Sequence, residues 1–450
     1  MTSHSFRSQR PNILVVYVWG GAVPRPTFRE HLYSFQRYAD ANVAMLNLAW
    51  GGVPDFLRQV QWDIVIFHTS FMTPELRQVK PWDGRENFKR AVRRAEAFRT
   101  MPALKVILPQ DEFYYSGLTV KFIRDFDIRH VFSVAPPSCW SQIYNGTDFG
   151  KVFFHRVLTG FIDEEKARQQ ADWFSPGHQR NIDIGYRCLP STYFWYGRHG
   201  LLKLRIAEVI KKHASPLGLK LDISTALADV INGDPWYDFL GSCRYSIGAE
   251  SGTSLIDFDG QIAHRCQEYV ARNPGASFEE VEKTCFPGMD GTCKLVAIGP
   301  RHLESCMTGT TQILVEGEYG GILKPGRHYL ELRRDFSNVD EVLMQVSDES
   351  LRRELMENVR RDIIDSGQYT YRRFTEGILE TALHDRYNRS GSNLPLPDEK
   401  TFLKAEEREA WGRIFALPRL RFFSAPRSLR INGVAHLLRK IRNVWGTLFG

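Results

Sequence analysis

The residues best able to do chemistry in this chain are a few acids and bases at the ends of apolar runs. Gln110-Asp111-Glu112 follows VILP, and His68-Thr69-Ser70 follows IVIF. A carboxylate at a strand end facing a cleft can take the proton of an attacking hydroxyl, so Asp111 and Glu112 are the first candidates for a general base. His68 and His155 could serve the same purpose, although a lone histidine is more often a packed core or surface residue. Glu304 stands behind another apolar run. Arg187, Lys203, Arg244 and Arg301 are the cations that could neutralise an anionic leaving group, and for each of them a plain ion pair is an equal alternative. Asp257-Phe258-Asp259 could hold a metal, but a turn is the better reading of that triplet.

These residues must be held by alternating strands and helices. Strands are expected at Asn12–Val18, Ala44–Leu48, Ile64–Phe67, Lys105–Leu108 and His130–Val134, with helical patterns between them. One such pattern places Phe28, Leu32, Phe35 and Tyr38 on a single helix face. This alternation is that of a parallel sheet with crossover helices. A second series starts at Ile182-Asp183-Ile184-Gly185-Tyr186-Arg187, followed by Gly197-Arg198 and a helix carrying Lys203. Leu295–Ile298 reads as a buried parallel strand ended by Gly299-Pro300. Arg301–Met307 has room for two helical turns, Thr308-Gly309 stops them, and Gln312–Val315 is the next apolar run. Glu304 is thereby set on a short helix beside strand ends, where open α/β sheets bind ligands.

The stretch from Lys294 to Phe336 resembles the donor-binding half of group 1 glycosyltransferases, in particular the spore-maturation-type branch. The family pattern P-R-x-x-E-x-x-x-x-G stands here as Pro300-Arg301-His302-Leu303-Glu304 through Gly309, followed by QILV. LKPGRHYLELRRDF and an arginine-rich helical stretch through TYRRF then follow in the family's order. The resemblance is good over residues 290–380 and looser elsewhere. It implies two Rossmann-like α/β domains facing each other across a cleft, the GT-B architecture. The expected divisions are an acceptor-side domain over 1–160, a linker over 161–181 and a nucleotide-sugar domain over 182–375. A helical return segment would occupy 376–416 and a basic amphipathic tail 417–450.

The implied activity is transfer of a sugar from a nucleotide sugar to a glycan or lipid-linked acceptor in bacterial surface polysaccharide synthesis. Glu304 would accept both ribose hydroxyls, Arg187, Lys203 and Arg301 would face the diphosphate, and Gly309 would close the motif. Similar proteins carry a comparable acidic pair where Asp111-Glu112 stands. No motif requires a metal, and no cofactor beyond the donor substrate is expected. Two other readings remain open: a nucleotide-sugar epimerase of the same fold, and a non-catalytic scaffold subunit.

Composition narrows the partners. A chain of 450 residues exceeds a single core. Its seven cysteines are scattered without a C-x-x-C, which suits reduced thiols in a cytoplasmic protein. The formal net charge of +7 lies wholly in residues 419–450, which hold seven basic groups and no acid. With the rest of the chain neutral, a general nucleic-acid surface is disfavoured. Val434, Leu437, Leu438, Ile441, Val444, Trp445 and Leu448 recur at helical spacing among the basic residues. That pattern predicts an interfacial helix contacting the anionic inner face of a membrane, at about 1 kcal/mol per well-placed cation, or else a last helix packed on the protein.

Overall fold

The computed structural model describes residues 10–19, 26–49, 51–72, 81–175, 177–188 and 194–387. The expected basic tail and the Gly20-Gly21 turn lie outside the described residues. The first half builds six parallel strands: β1 (Asn12–Tyr17), β2 (Asn42–Asn47), β3 (Ile64–Phe67), β4 (Leu104–Ile107), β5 (His130–Ser133) and β6 (Phe153–Arg156). Their order is β2-β1-β3-β4-β5-β6. The central strands are apolar on both faces because helices cover both, which is why IVIF and NILVVY read as unbroken apolar runs.

The second half supplies β7 (Ile182–Arg187), β8 (Leu221–Ser224), β9 (Cys243–Gly248), β10 (Ser251–Thr253), β11 (Leu295–Ala297), β12 (Thr311–Val315) and β13 (Tyr329–Leu332). Five of these form a parallel sheet in the order β13-β12-β9-β7-β8. The fold is therefore α/β with two Rossmann-like domains, as expected. β11 departs from expectation. It pairs antiparallel with β10 in a separate two-stranded ribbon, outside the five-stranded sheet. An apolar run of three or four residues shows burial, and says nothing about which strand it will pair with.

Strand order reverses in both sheets, between β1 and β3 in the first and between β7 and β9 in the second. Crevices open outside the carboxyl ends of strands at such switch points. The helix Pro26–Tyr38 packs beside the first crevice, with Leu32 and Phe35 on the sheet and against Tyr371, Phe374 and Ile378 of the helix Tyr371–Tyr387. The chain thus crosses back to the first sheet in the last of the described residues, and Ile162 meets Thr370 where the two crossovers run together. A second connection comes from the ribbon. Between β10 and β11 the helices Gln261–Arg272 and Phe278–Cys285 leave the second sheet, and Ile262, Cys266, Val281 and Phe286 join the core that covers the other face of the first.

Candidate functional site

Glu304 lies on the helix Pro300–Met307, which Pro300 starts and Thr308-Gly309 ends. Gly309 has φ +61°, and a Cβ there would stand 3.1 Å from Nη2 of Arg180, as suits a glycine that ends a helix. The Glu304 side chain is turned towards the first domain and is 7% exposed. One carboxylate oxygen accepts from the Thr27 hydroxyl across the interface, and the other accepts from the Trp236 indole N–H at 2.7 Å. Thr27 belongs to the first turn of the helix beside the β1/β3 crevice, and Trp236 to the helix Pro235–Gly241 next to β9. The carboxylate therefore stands where the two switch-point crevices meet.

Cations gather on the same side. The Arg301 guanidinium lies over the rings of Tyr186 and Trp236, at 5.1 and 5.4 Å from their centroids. Lys203, on the helix Gly197–Ala214, stands near both His199 and His302. Burial, with smaller contributions from the neighbouring cations Lys203, Arg301 and Arg334, lowers each of these imidazoles to about 4. Both rings contact carbonyls at the carboxyl end of β9: His199 Nε2 at Glu250 O and His302 Nε2 at Ala249 O. Glu250 itself is buried, and its carboxylate accepts from the Tyr319 amide at 2.7 Å. Gly317 makes room for it, since a Cβ there would stand 2.6 Å from Glu250 Oε2.

The other residues marked by the sequence are scattered. Arg187 forms an ion pair with Asp222 at 2.8 Å, donates to the Asp222 carbonyl and lies over Phe239, so the structure commits it to packing within the second domain. Arg244 bridges Asp183 and Glu349 at 3.0 Å each. Asp111 and Glu112 separate completely. Asp111 is exposed at the end of β4 with φ +52°, and Tyr115 nearby has φ +53°. Left-handed backbone at non-glycine residues stores strain, and such strain gathers at functional sites. Glu112 points inward instead. It accepts from Ser133 Oγ, Tyr144 Oη and the amides of Val134 and Ala135. Burial raises it to about 7, against those hydrogen bonds.

His68 is fully buried against His31, with 2.9 Å between Nε2 and Nδ1. His155 stands on the edge strand β6 at 2.9 Å from His130. The Asp257-Phe258-Asp259 segment is a turn: Asp257 accepts from the amides of Ile262 and Ala263, capping the helix that follows. Among the described residues no cluster of three or more acids, histidines or cysteines could hold a metal ion.

Glu30, Thr27, Trp236, Tyr237 and Glu250 were not marked by the sequence. Glu30 is 4% exposed, accepts from Tyr237 Oη at 3.3 Å, and has its other oxygen buried without a hydrogen bond. Burial, then the charges of Asp163 and Glu304, raise it to about 7. The one available signal was its position beside His31 on the buried face of an amphipathic helix. Glu30→Gln tests the cause. An acid whose folded value is raised keeps its full stabilising contribution below its unfolded value of 4.5, and loses it as pH rises through about 7. Thermal melts should show Glu30→Gln gaining on the wild type from pH 4.5 upwards. The difference should reach about 3 kcal/mol and level off above pH 7. A difference that does not change with pH would refute it.

No family model matches the chain, and no curated protein matches it. Solved structures do match, 77 chains in all. TarM is 13% identical over 71% of this chain, with a TM-score of 0.38, and the chain covers 54% of TarM's length. HepE of Anabaena, in complex with UDP-glucose, is 12% identical over 82% of this chain and 98% of its own, with a TM-score of 0.44. Sucrose-phosphate synthase from Thermosynechococcus elongatus is 10% identical over 85% of this chain and 100% of its own, with a TM-score of 0.42.

Proposed function

We propose that this chain is a glycosyltransferase that holds a nucleotide-sugar donor against its second sheet and glycosylates a hydroxyl presented from its first. The observation that carries the reading is Glu304, a carboxylate facing across the meeting point of two switch-point crevices with Arg301 on its own helix. Its two oxygens already accept from two separate donors, and two adjacent ribose hydroxyls can replace them. Lys203 and Arg301, with the amino end of the Glu304 helix, provide positive charge for the departing diphosphate.

In the transfer step the acceptor oxygen bonds to the anomeric carbon while the bond from that carbon to the phosphate oxygen breaks. The electron pair leaves with the diphosphate, and the acceptor proton passes to a base. Asp111 fits that last role, being exposed and strained at a strand end of the first domain. On this reading the leaving group is neutralised by the chain's own cations, and no metal ion is invoked. The acceptor is proposed to be a surface glycan or its lipid-linked precursor. That choice rests on the sequence resemblance and on the basic residues of 419–450, which would bring the protein to an anionic membrane. Among the described residues no helix is long and apolar enough to cross a membrane.

A thermal-shift panel of UDP, GDP, TDP and CMP and their sugars, run on wild type and Glu304→Ala, tests the donor site. A ligand that binds only the folded state stabilises it by about 2.7 kcal/mol at 100 times its Kd. One nucleotide series should raise the wild-type melting temperature, with no such rise in Glu304→Ala. The rise is compared with each variant's own baseline, because the alanine also removes the bonds to Thr27 and Trp236. If no nucleotide shifts the wild type, or the shift survives in Glu304→Ala, the reading is wrong.

A further inference from the structure

Cys139 and Cys293 come from different halves of the chain and meet in the core that joins them. Cys139 ends the turn Pro137–Cys139 after β5, and Cys293 lies two residues before β11. Their Sγ atoms are 2.8 Å apart and both side chains are buried, at 4% and 3% exposure, within one apolar cluster. Beyond β11 the chain runs directly into the Glu304 helix. It touches the first domain again there, where Thr159 donates to the Ile298 carbonyl and Gly160 lies against Pro300. Two points therefore fix the strand that feeds the Glu304 helix to the first domain, and one of them is a pair of thiols.

We infer that Cys139 and Cys293 form a covalent modification site for hydrogen peroxide, which converts them to a disulfide tying the root of the Glu304 helix to the first sheet. The chemistry closes on these two residues. The Cys139 sulfur attacks one peroxide oxygen, the O–O bond breaks, and a sulfenic acid and one water result. The Cys293 sulfur then attacks that sulfenic sulfur, the S–O bond breaks, and the hydroxyl leaves as a second water. Two thiols lose two protons and two electrons, and one peroxide becomes two waters.

The division of roles follows from the contact. Cys293 donates its S–H to Cys139, and this hydrogen bond is the main cause that lowers the Cys139 thiol while raising that of Cys293. Cys139 is thus the attacking thiolate and Cys293 the resolving thiol. Burial favours a water-sized oxidant over a bulky disulfide. Cys266 and Cys285 also adjoin one another, but both lie on the helices between β10 and β11, so a bond there would tie no further element to the first sheet.

The full chain is treated with hydrogen peroxide, the remaining thiols are alkylated, and the protein is digested without reductant for mass spectrometry. The expected product is a linked pair of peptides containing Cys139 and Cys293, lighter by two hydrogens than their sum and released by dithiothreitol. The bond closes a long loop, so the oxidised wild type should melt about 5 °C higher than the reduced form. Cys139→Ser and Cys293→Ser should show neither the link nor the rise. The wild-type peptide map decides the question even where a serine variant folds poorly. Oxidation of Cys139 to the sulfinic acid without a link, a link confined to Cys266 and Cys285, or two unmodified thiols would each overturn the inference.

Discussion

Glu112→Ala is expected to lose roughly 3–5 kcal/mol of stability, the range for breaking a buried, hydrogen-bonded charged network by removing one partner. The alanine leaves four donors facing the vacated space: the Ser133 and Tyr144 hydroxyls and the Val134 and Ala135 amides. Both amides belong to buried residues directly after β5, and while the Ala135 amide keeps a bond to Ser133 Oγ at 3.1 Å, the Val134 amide loses its bond to Glu112. Glu112→Gln should fall between wild type and alanine, since its amide oxygen replaces one carboxylate oxygen while its NH2 opposes donors. Urea denaturation followed by circular dichroism measures both. An alanine variant as stable as wild type but without turnover would return Glu112 to the reacting groups, against the structural role its hydrogen bonds assign.

Lys203→Ala is expected to lower kcat about 100-fold or more on the proposed sugar transfer, the typical effect of removing one preorganised group from developing negative charge. Its melting temperature should stay close to that of the wild type, because Lys203 is partly exposed on its helix. Arg301 offers a less clean test, since its guanidinium also packs on Tyr186 and Trp236 and its loss would disturb both. A rise in KM at unchanged kcat would show that Lys203 grips donor and transition state equally, and would remove it from the leaving-group role.

Much of the fold was legible because apolar runs such as IVIF end abruptly in polar residues, and because helical spacing separates them. Pairing was not legible, as β11 shows: three apolar residues give the same signal whether their partner is parallel or antiparallel. The site was harder still. Asp111 and Glu112 are neighbours in sequence, yet a left-handed residue sends one to the surface and the other into the core. Arg187 could be read from sequence either as a phosphate cation or as an ion-pair partner, and nothing local to it reveals Asp222, its ion-pair partner on the adjacent strand. Thr27 lies 277 residues from Glu304, and no local pattern carries a contact of that separation. Glu30 and His31 were detectable in principle, as polar residues interrupting the apolar face of Phe28, Leu32 and Phe35, where local rules tend to fail at functional positions.

The helices borrowed by the first sheet bear on how the chain is made. One face of that sheet is completed by residues near 262–286 and the other by residues 371–382. The first half's own helices cover part of each face, through Leu32 and Phe35 on one and Phe71, Phe88 and Phe122 on the other. The remainder of both covers emerges much later in synthesis, so the amino-terminal half leaves its core incomplete as an early unit. The apolar patches that the late helices cover must wait until nearly the whole described chain has left the ribosome. A fragment cut at the first crossover would inherit that defect permanently, and the two halves should fold and melt as one cooperative body. High contact order of this kind slows folding and makes nascent chains dependent on chaperones.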